Sequence, residues 1–203
     1  MRMLAIECAT EACSLALFDG EALLDCRHEI IGRGHAEQLI PLIASLPDRG
    51  RADEIRVSLG PGSFTGVRIG LAAARALGLA WSSSVRGYPT LALVAAVARH
   101  THPGPVSVCM AGGHGEWFVQ DFDAAGMPER RVASVGPADA STLLNHPTLA
   151  GNRARDKAAI EGPGGNVLDI LPDARFVQAL PEALFTDELA PIYGRGPDAR
   201  LPA

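Results

Sequence analysis

The sequence predicts an α/β protein in which mixed sheets are flanked by helices. The 203 residues are 47% hydrophobic and 20% charged, which is enough apolar side chain for a sizeable core. The first thirty residues read as three consecutive strands, and the chain then switches to helical spacing between short apolar runs. This order of elements fits sheets that combine antiparallel and parallel strands.

The first half of the chain carries the clearest signals for individual elements. Asp19-Gly20 marks a hairpin turn between the second and third strands. Pro41 falls inside the first helical pattern, so this helix is predicted to be bent or to begin late. The predicted strands are residues 4–7, 12–18, 22–30 and 54–59, and the predicted helices are residues 35–46, 65–81 and 90–100.

The second half begins with a loop rich in proline and glycine at residues 101–105. Because such a cluster between two periodic segments is typical of a domain boundary, we predict an N-terminal α/β lobe of residues 1–103 and a smaller C-terminal α/β lobe of residues 104–203. Beyond this loop, strands are predicted at residues 106–110, 117–122 and 132–135, and short helices at residues 138–144 and 182–189.

Charge and composition argue against several classes of protein. The net charge of −5 is unsuited to a stand-alone binder of nucleic acid or of an anionic membrane. Lys157 is the only lysine, so a mechanism that needs a phosphate-binding or Schiff-base lysine has one candidate. The longest apolar run, residues 91–98, is too short to span a bilayer. An acid at Glu7 interrupts any signal-peptide core, and the chain is predicted to be cytoplasmic.

The cysteines and histidines indicate no metal site, and no cofactor is expected. Cys8, Cys13, Cys26 and Cys109 form no C-x-x-C pair and are predicted to be buried, reduced thiols. His35 is isolated in the sequence, and the histidines at positions 100 and 102 lie beside a proline in a predicted loop. The spacing shows no paired acids and no Ser-His-Asp arrangement, so no catalytic residue is assigned.

A glycine-rich turn between the fourth strand and the long helix is the most informative stretch. Glycines allow positive φ and close backbone approach, and the free N–H groups of a helix N-terminus attract anions. The spacing excludes a P-loop, a Rossmann fingerprint and a nucleophile elbow. The turn either binds a phosphate or is purely structural, with Ser63 or Thr65 capping the helix. Its candidate residues are Gly60, Gly62, Ser63, Thr65 and Gly66.

The helix that follows this turn is apolar nearly all round, interrupted by Arg68 and Arg75. Gly70, Ala74 and Gly78 lie four residues apart and form a flat ridge of small side chains. A helix of this kind must be covered on both sides. It is either a core helix between a sheet and a neighbouring helix, or one of its sides meets another protein chain across the ridge.

Several segments together resemble the bacterial TsaB family, also called YeaZ. The most specific is residues 60–80, and the supporting matches are residues 4–10, residues 35–42, Gly151-Asn152 and the Pro-x-Tyr-x-Arg segment at residues 191–195. The resemblance covers nearly the whole chain and is strong in residues 1–100. It implies the actin-like, Hsp70 and sugar-kinase (ASKHA) fold with two lobes.

The resemblance implies a noncatalytic scaffold in the synthesis of threonylcarbamoyladenosine beside the anticodon of tRNA. In that family TsaB-like chains serve as the dimerisation platform of the catalytic, metal-binding paralogue TsaD, and the ATPase TsaE joins the pair. The implied partners are therefore a TsaD-like subunit and a TsaE-like ATPase, with a homodimer in their absence. Contact with tRNA is then indirect, and no membrane partner is expected.

The resemblance also places the partner contact on the first helix and the long helix. The expected interface residues are His35, Leu39, Ile43, Arg68, Gly70, Leu71, Ala74, Arg75 and Gly78. The chain departs from the family at Glu7, where Asp is usual, and at residues 111–113, where Ala-Gly-Gly replaces Asp-Ala-Arg. Both departures argue against the alternative of a nucleotide-binding ATPase. A further alternative, an M22-type peptidase, needs a nucleophile or a metal that the spacing does not show.

Overall fold

The computed structural model describes residues 1–161 and 164–194, which form two five-stranded mixed sheets with helices between and around them. The first sheet contains β1 (Arg2–Glu7), β2 (Ala12–Asp19), β3 (Ala22–Ile30), β4 (Glu54–Ser58) and β5 (Ser84–Tyr88). The second contains β6 (Val106–Ala111), β7 (Trp117–Phe122), β8 (Ala133–Val135), β9 (Thr148–Ala150) and β10 (Asn166–Leu168). The helices are α1 (His35–Ala44), α2 (Phe64–Trp81), α3 (Thr90–Thr101), α4 (Pro137–Leu143) and α5 (Ala154–Glu161).

The two sheets are built on the same plan. In the first, the order is β3-β2-β1-β4-β5, in which β1, β2 and β3 pair antiparallel and β4 and β5 continue the sheet in parallel. In the second, the order is β10-β9-β6-β7-β8, with β6, β7 and β8 antiparallel and β9 and β10 parallel. The expected α/β fold with two mixed sheets flanked by helices is confirmed.

Helix α3 lies between the two sheets and joins their cores. Eight of its residues are buried, and they pack with apolar side chains from β1 and β2 on one side and from β6 and β7 on the other. Helices α1 and α2 cover the opposite face of the first sheet, and α4 and α5 cover the opposite face of the second. The helix that is covered on both sides is therefore α3 rather than α2.

Several element predictions need correction. The helix expected at residues 182–189 is a single 3-10 turn at Glu182–Leu184, because Thr186 instead pairs with Gly87 beside β5. Strands β5, β9 and β10 and helix α5 were not predicted. Helix α1 begins at His35 and accommodates Pro41, so it does not begin late. Helical spacing would put Ile40 on the same face as Leu39 and Ile43, but Ile40 is 49% exposed whereas the other two are buried.

The described C-terminal segment returns to the first sheet. The Ile192 N–H donates to the Leu59 carbonyl at 2.7 Å, and Leu189 and Ile192 pack against the apolar cluster beneath α1 and α2. Residue 195, the arginine of the Pro-x-Tyr-x-Arg segment, lies outside the described residues. The division of the chain at residue 103 stays a prediction. Within the described ranges, no helix is both long enough and apolar enough to cross a membrane.

Candidate functional site

We call the first sheet with its helices the first lobe and the second sheet with its helices the second lobe, and residues of both line a cleft of about 910 Å³. The first lobe lines it with the β1–β2 turn at residues 9–11 and with the start of α2, and the second lobe lines it with residues 111–113, Phe118 and Asn152. Tyr193 of the C-terminal segment completes the lining. The segment at residues 111–113, where the chain departs from the family that it resembles, therefore faces this cleft.

The glycine-rich turn supplies one wall of the cleft, and its glycines are required by packing. Gly60 has φ of +91°, in the left-handed region that favours glycine. A Cβ at Gly62 would collide with the Ala9 carbonyl oxygen, and one at Gly66 with the Cys8 carbonyl oxygen. The turn thus lies directly on the backbone that follows β1.

The helix cap at this turn is Ser63. Its Oγ accepts a hydrogen bond from the Gly66 N–H at 3.2 Å, as expected of a serine at an N-cap position. Thr65, the other candidate, lies in the first turn of α2 and is exposed. Ser63, and not Thr65, is therefore the residue that caps α2. Phosphate binding at the turn stays a prediction.

An arginine and two stacked aromatic rings form a cluster that lines the cleft. The Arg68 guanidinium lies 3.3 Å from the centroid of the Phe64 ring and donates to the Tyr193 hydroxyl at 2.9 Å. The rings of Phe64 and Tyr193 are stacked with centroids 5.6 Å apart. This cluster fixes the C-terminal segment to α2. No local pattern predicts this cluster, because Tyr193 is 125 residues away from Arg68.

One hydrogen bond links the two lobes across the cleft floor. The Asn152 Nδ2 donates to Glu11 Oε1 at 2.9 Å, and its Oδ1 accepts from the Ala111 N–H at 2.8 Å. The asparagine of the Gly-Asn turn that resembles the family pattern thus uses its side chain for both bonds. It binds a side chain of the first lobe, Glu11, and a backbone N–H of the second lobe, that of Ala111.

Glu7 is sealed in the core below the cleft and is not among the residues that line it. Its Oε1 accepts from the Ala9 N–H at 2.7 Å and from the Ser58 hydroxyl at 2.9 Å, whereas Oε2 is buried without a hydrogen-bond partner. Burial raises the pKa of Glu7 from 4.5 to about 7, although these hydrogen bonds oppose the shift. This carboxyl group is therefore placed to affect stability rather than to meet a ligand in the cleft.

One group of potential metal ligands occurs in the part of the chain that the structure describes, at the edge of the second sheet. Ligand atoms of Asp121, Glu129 and His146 all lie within 4.8 Å of one another. However, Arg130 Nη2 is 3.4 Å from Asp121 Oδ2, and Asn145 Nδ2 donates to the same oxygen at 2.9 Å. Arg130 already supplies a positive charge there, so the group carries no metal assignment.

Most of the residues expected at a partner interface are buried within the chain. The buried ones are His35, Leu39, Ile43, Gly70, Leu71, Ala74 and Gly78. Partner contact through the small ridge stays a prediction, and within the single chain these residues are buried. A Cβ at Gly70 would touch Val57 of β4, and one at Gly78 would collide with Val85 of β5, so the ridge brings α2 close to its own sheet.

The two arginines of the expected interface are exposed but already have partners. Arg68 belongs to the aromatic cluster, and Arg75 Nη2 donates to the Leu189 carbonyl at 2.9 Å. Both hold the C-terminal segment on α2.

Among the exposed apolar residues of the two helices are Ile40, Ala72, Ala76 and Leu79, which we call the α1–α2 surface. Arg68 and Arg75 are exposed on the same helix α2. Leu79 is 86% exposed, which makes it the most exposed leucine among the large hydrophobic residues of the described chain. The sequence pattern missed this surface because the apolar residues on both sides of α2 cannot be distinguished before the sheet is placed.

Comparison with known proteins decides the family. A family model described as "TsaD: tRNA N6-adenosine threonylcarbamoyltransferase" matches residues 28–162. The tRNA threonylcarbamoyladenosine biosynthesis protein TsaB of Escherichia coli is 37% identical over 103 residues, which are 47% of this chain and 43% of that protein. The chain belongs to the TsaB/YeaZ branch of this family.

Other relatives extend the TsaB/YeaZ match over more of the chain. The uncharacterized protein Rv3421c of Mycobacterium tuberculosis is 30% identical over 207 residues, covering 98% of this chain and 93% of that protein. The solved YeaZ from Pseudomonas aeruginosa superposes with a TM-score of 0.78 at 24% identity, covering 95% and 99% of the two chains, which establishes the shared fold. The match spans less than half the length of E. coli TsaB and 56% of ML0378 from Mycobacterium leprae.

Proposed function

We propose that this TsaB/YeaZ-family chain is a noncatalytic scaffold of the cytoplasmic machinery that makes threonylcarbamoyladenosine in tRNA. It pairs with a TsaD-like catalytic subunit, and a TsaE-like ATPase joins that pair. Without them, the same surface forms a homodimer. The family match and the names of the relatives support the process, and the α1–α2 surface supports the mode of pairing.

The observation that carries this proposal is the exposed apolar side of α1 and α2. Burying one leucine side chain contributes about 1.5–3 kcal/mol, and Leu79 leaves most of that contribution unused in the isolated chain. The neighbouring alanines add no long side chains, so a second protein can approach the helix axis closely. The buried Gly70, Ala74 and Gly78 keep α2 on its own sheet and so hold this surface in place.

The noncatalytic role is supported by three ionisable groups that do not line the cleft. Lys157, the only lysine, lies in α5 against the second sheet. Glu7 is enclosed by its own hydrogen bonds, and Asp121 pairs with Arg130. None of these three groups is placed to activate a water or a phosphate between the lobes.

The proposal is tested by Leu79→Glu, with Ile160→Glu as the matched control. Ile160 is 54% exposed on α5, so its substitution makes the same chemical change on a different helix. We expect Leu79→Glu to abolish co-elution with a TsaD-like subunit in size-exclusion chromatography, and Ile160→Glu to leave it intact. Undiminished co-elution of a folded Leu79→Glu chain contradicts the assignment of this surface.

A second candidate function, nucleotide binding, is favoured by the size of the cleft and by the turn at its edge. Titration of the isolated chain with ATP in a calorimeter tests it directly. Tight binding that is lost on Arg68→Ala, together with ATP turnover, would support an ATPase. Absence of heat at millimolar ATP supports the scaffold alone.

A further inference from the structure

Two cysteines face each other at the end of the β1–β2 hairpin. Cys8 and Cys13 have their sulfur atoms 3.8 Å apart, and both side chains are fully buried. The last pair of the β1–β2 register is Glu7 with Ser14, so the next position along the two strands sets Cys8 opposite Cys13. Opposed residues in antiparallel strands have Cα atoms about 4.5–5.5 Å apart, within the range of about 4.4–6.8 Å that a disulfide spans.

The two thiols differ in acidity. Hydrogen bonding to Cys13, together with burial, raises the pKa of Cys8, and the same contact lowers the pKa of Cys13. Since the thiolate is the attacking species in disulfide exchange, Cys13 is the nucleophile and Cys8 the resolving thiol. The other two cysteines belong to different surroundings, since Cys26 is half-buried on β3 and Cys109 is buried in the second sheet.

The turn that joins the two cysteines is fixed to both walls of the cleft. Ala9, adjacent to Cys8, lines the cleft together with Thr10 and Glu11. The Ala9 carbonyl accepts from the Ser63 N–H at 2.6 Å at the start of α2, and Glu11 carries the hydrogen bond to Asn152 of the second lobe. A change in the distance between the sulfurs is therefore transmitted to the floor of the cleft.

We propose that Cys8 and Cys13 form an oxidisable dithiol whose disulfide stiffens the cleft floor. The co-reactant is a low-molecular-weight disulfide, such as oxidised glutathione. The Cys13 thiolate attacks one of its sulfurs and releases one thiol. The Cys8 thiolate then attacks Cys13 Sγ and releases the second thiol. The two cysteines lose two electrons and two protons in total, and the small disulfide is reduced to two thiols.

The experiment is a peptide map of the full chain after equilibration in glutathione redox buffers. Samples are quenched in acid, alkylated with N-ethylmaleimide in denaturant and digested after glutamate. Because Glu7, Glu11, Glu21 and Glu29 separate the cysteines, residues 8–11, 12–21 and 22–29 become three peptides. We expect oxidation to remove two of the four alkylated thiols and to join peptide 8–11 to peptide 12–21.

Cys26→Ser is the matched control and should show the same loss of two thiols, whereas Cys13→Ser should leave Cys8 alkylated. Separate alkylation of peptides 8–11 and 12–21 in oxidising buffer overturns the proposal, as does attachment of glutathione to each or a link from Cys8 to Cys26. The wild-type map decides this even where a variant fails to fold. Hydrogen exchange should slow at residues 9–12 and 62–66 on oxidation, and unchanged exchange overturns the link to the cleft.

Discussion

Glu7 offers the sharpest test of the energetics, because one buried carboxyl group makes stability depend on pH. Its pKa is about 7 in the folded chain and 4.5 when solvated. One pKa unit corresponds to about 1.4 kcal/mol, so the charged form costs the folded state about 3 kcal/mol above pH 7. The folded chain holds this proton more tightly than the unfolded chain. The stabilisation that comes from this more tightly bound proton is therefore complete below pH 4.5 and is lost as pH rises to about 7.

The substitution Glu7→Gln should remove this dependence. The glutamine Oε1 can accept the hydrogen bonds from Ala9 and Ser58, and its Nε2 can donate to the Thr90 hydroxyl, which lies beside the carboxyl group and is buried without a partner. We expect the variant to gain up to about 3 kcal/mol over wild type at pH 8 and to lose that advantage near pH 4.5.

The measurement is urea unfolding of both chains from pH 4.5 to pH 8, with Glu21→Gln at the exposed β2–β3 turn as the control. The control makes the same substitution at an exposed position, and its free energy of unfolding is compared with that of wild type at each pH. At each pH, the free energy of unfolding of the variant is subtracted from that of wild type. The slope of this difference against pH tests the prediction. A slope of zero for Glu7→Gln means that the carboxyl group does not change protonation in this range and refutes the reasoning.

Three further predictions concern packing and the link between the lobes. Gly66→Ala should lower the melting temperature sharply, because its Cβ would strike backbone, whereas Gly164→Ala, which has open space around it, should not. Asn152→Ala should cost about 1 kcal/mol or more of unfolding free energy in denaturant titrations, and the part of this cost that comes from the bond to Glu11 should disappear when Glu11→Ala is already present. Leu93→Ala in α3 should cost about 2–5 kcal/mol and shift the unfolding of both sheets together, as followed by hydrogen exchange.

The sequence predicted those parts of the fold that depend on local signals. The β1–β2–β3 meander follows from alternation and from Asp19-Gly20, and the start of α2 follows from the glycine turn and the Ser63 cap. The short strands β9 and β10 have three residues each, too few to show a period. Strand β5 contains Arg86 and Gly87, which weaken an apolar run.

The candidate site was harder to predict because it depends on which layer covers which helix. Both α2 and α3 are largely apolar, and only the position of the second sheet makes α3 the helix that is buried all round. Once the sheets are placed, the ridge that includes Gly70 faces the first sheet, and Leu79 faces solvent. The cleft itself is formed by residues 9–11 and 111–113, which are brought together by the two sheets and not by any local pattern.

The return of the C-terminal segment to the first sheet has a consequence for how the protein is made. Thr186 and Gly87 exchange two backbone hydrogen bonds, and the Ile192 N–H reaches the Leu59 carbonyl. On a ribosome, the N-terminal part of a chain emerges and begins to fold first. The edge beside β5 and the surface near α2 therefore acquire these backbone partners only after residues 186–192 have been synthesised. A nascent chain arrested before residue 186 would expose that edge, and its release would complete the lobe that was synthesised first.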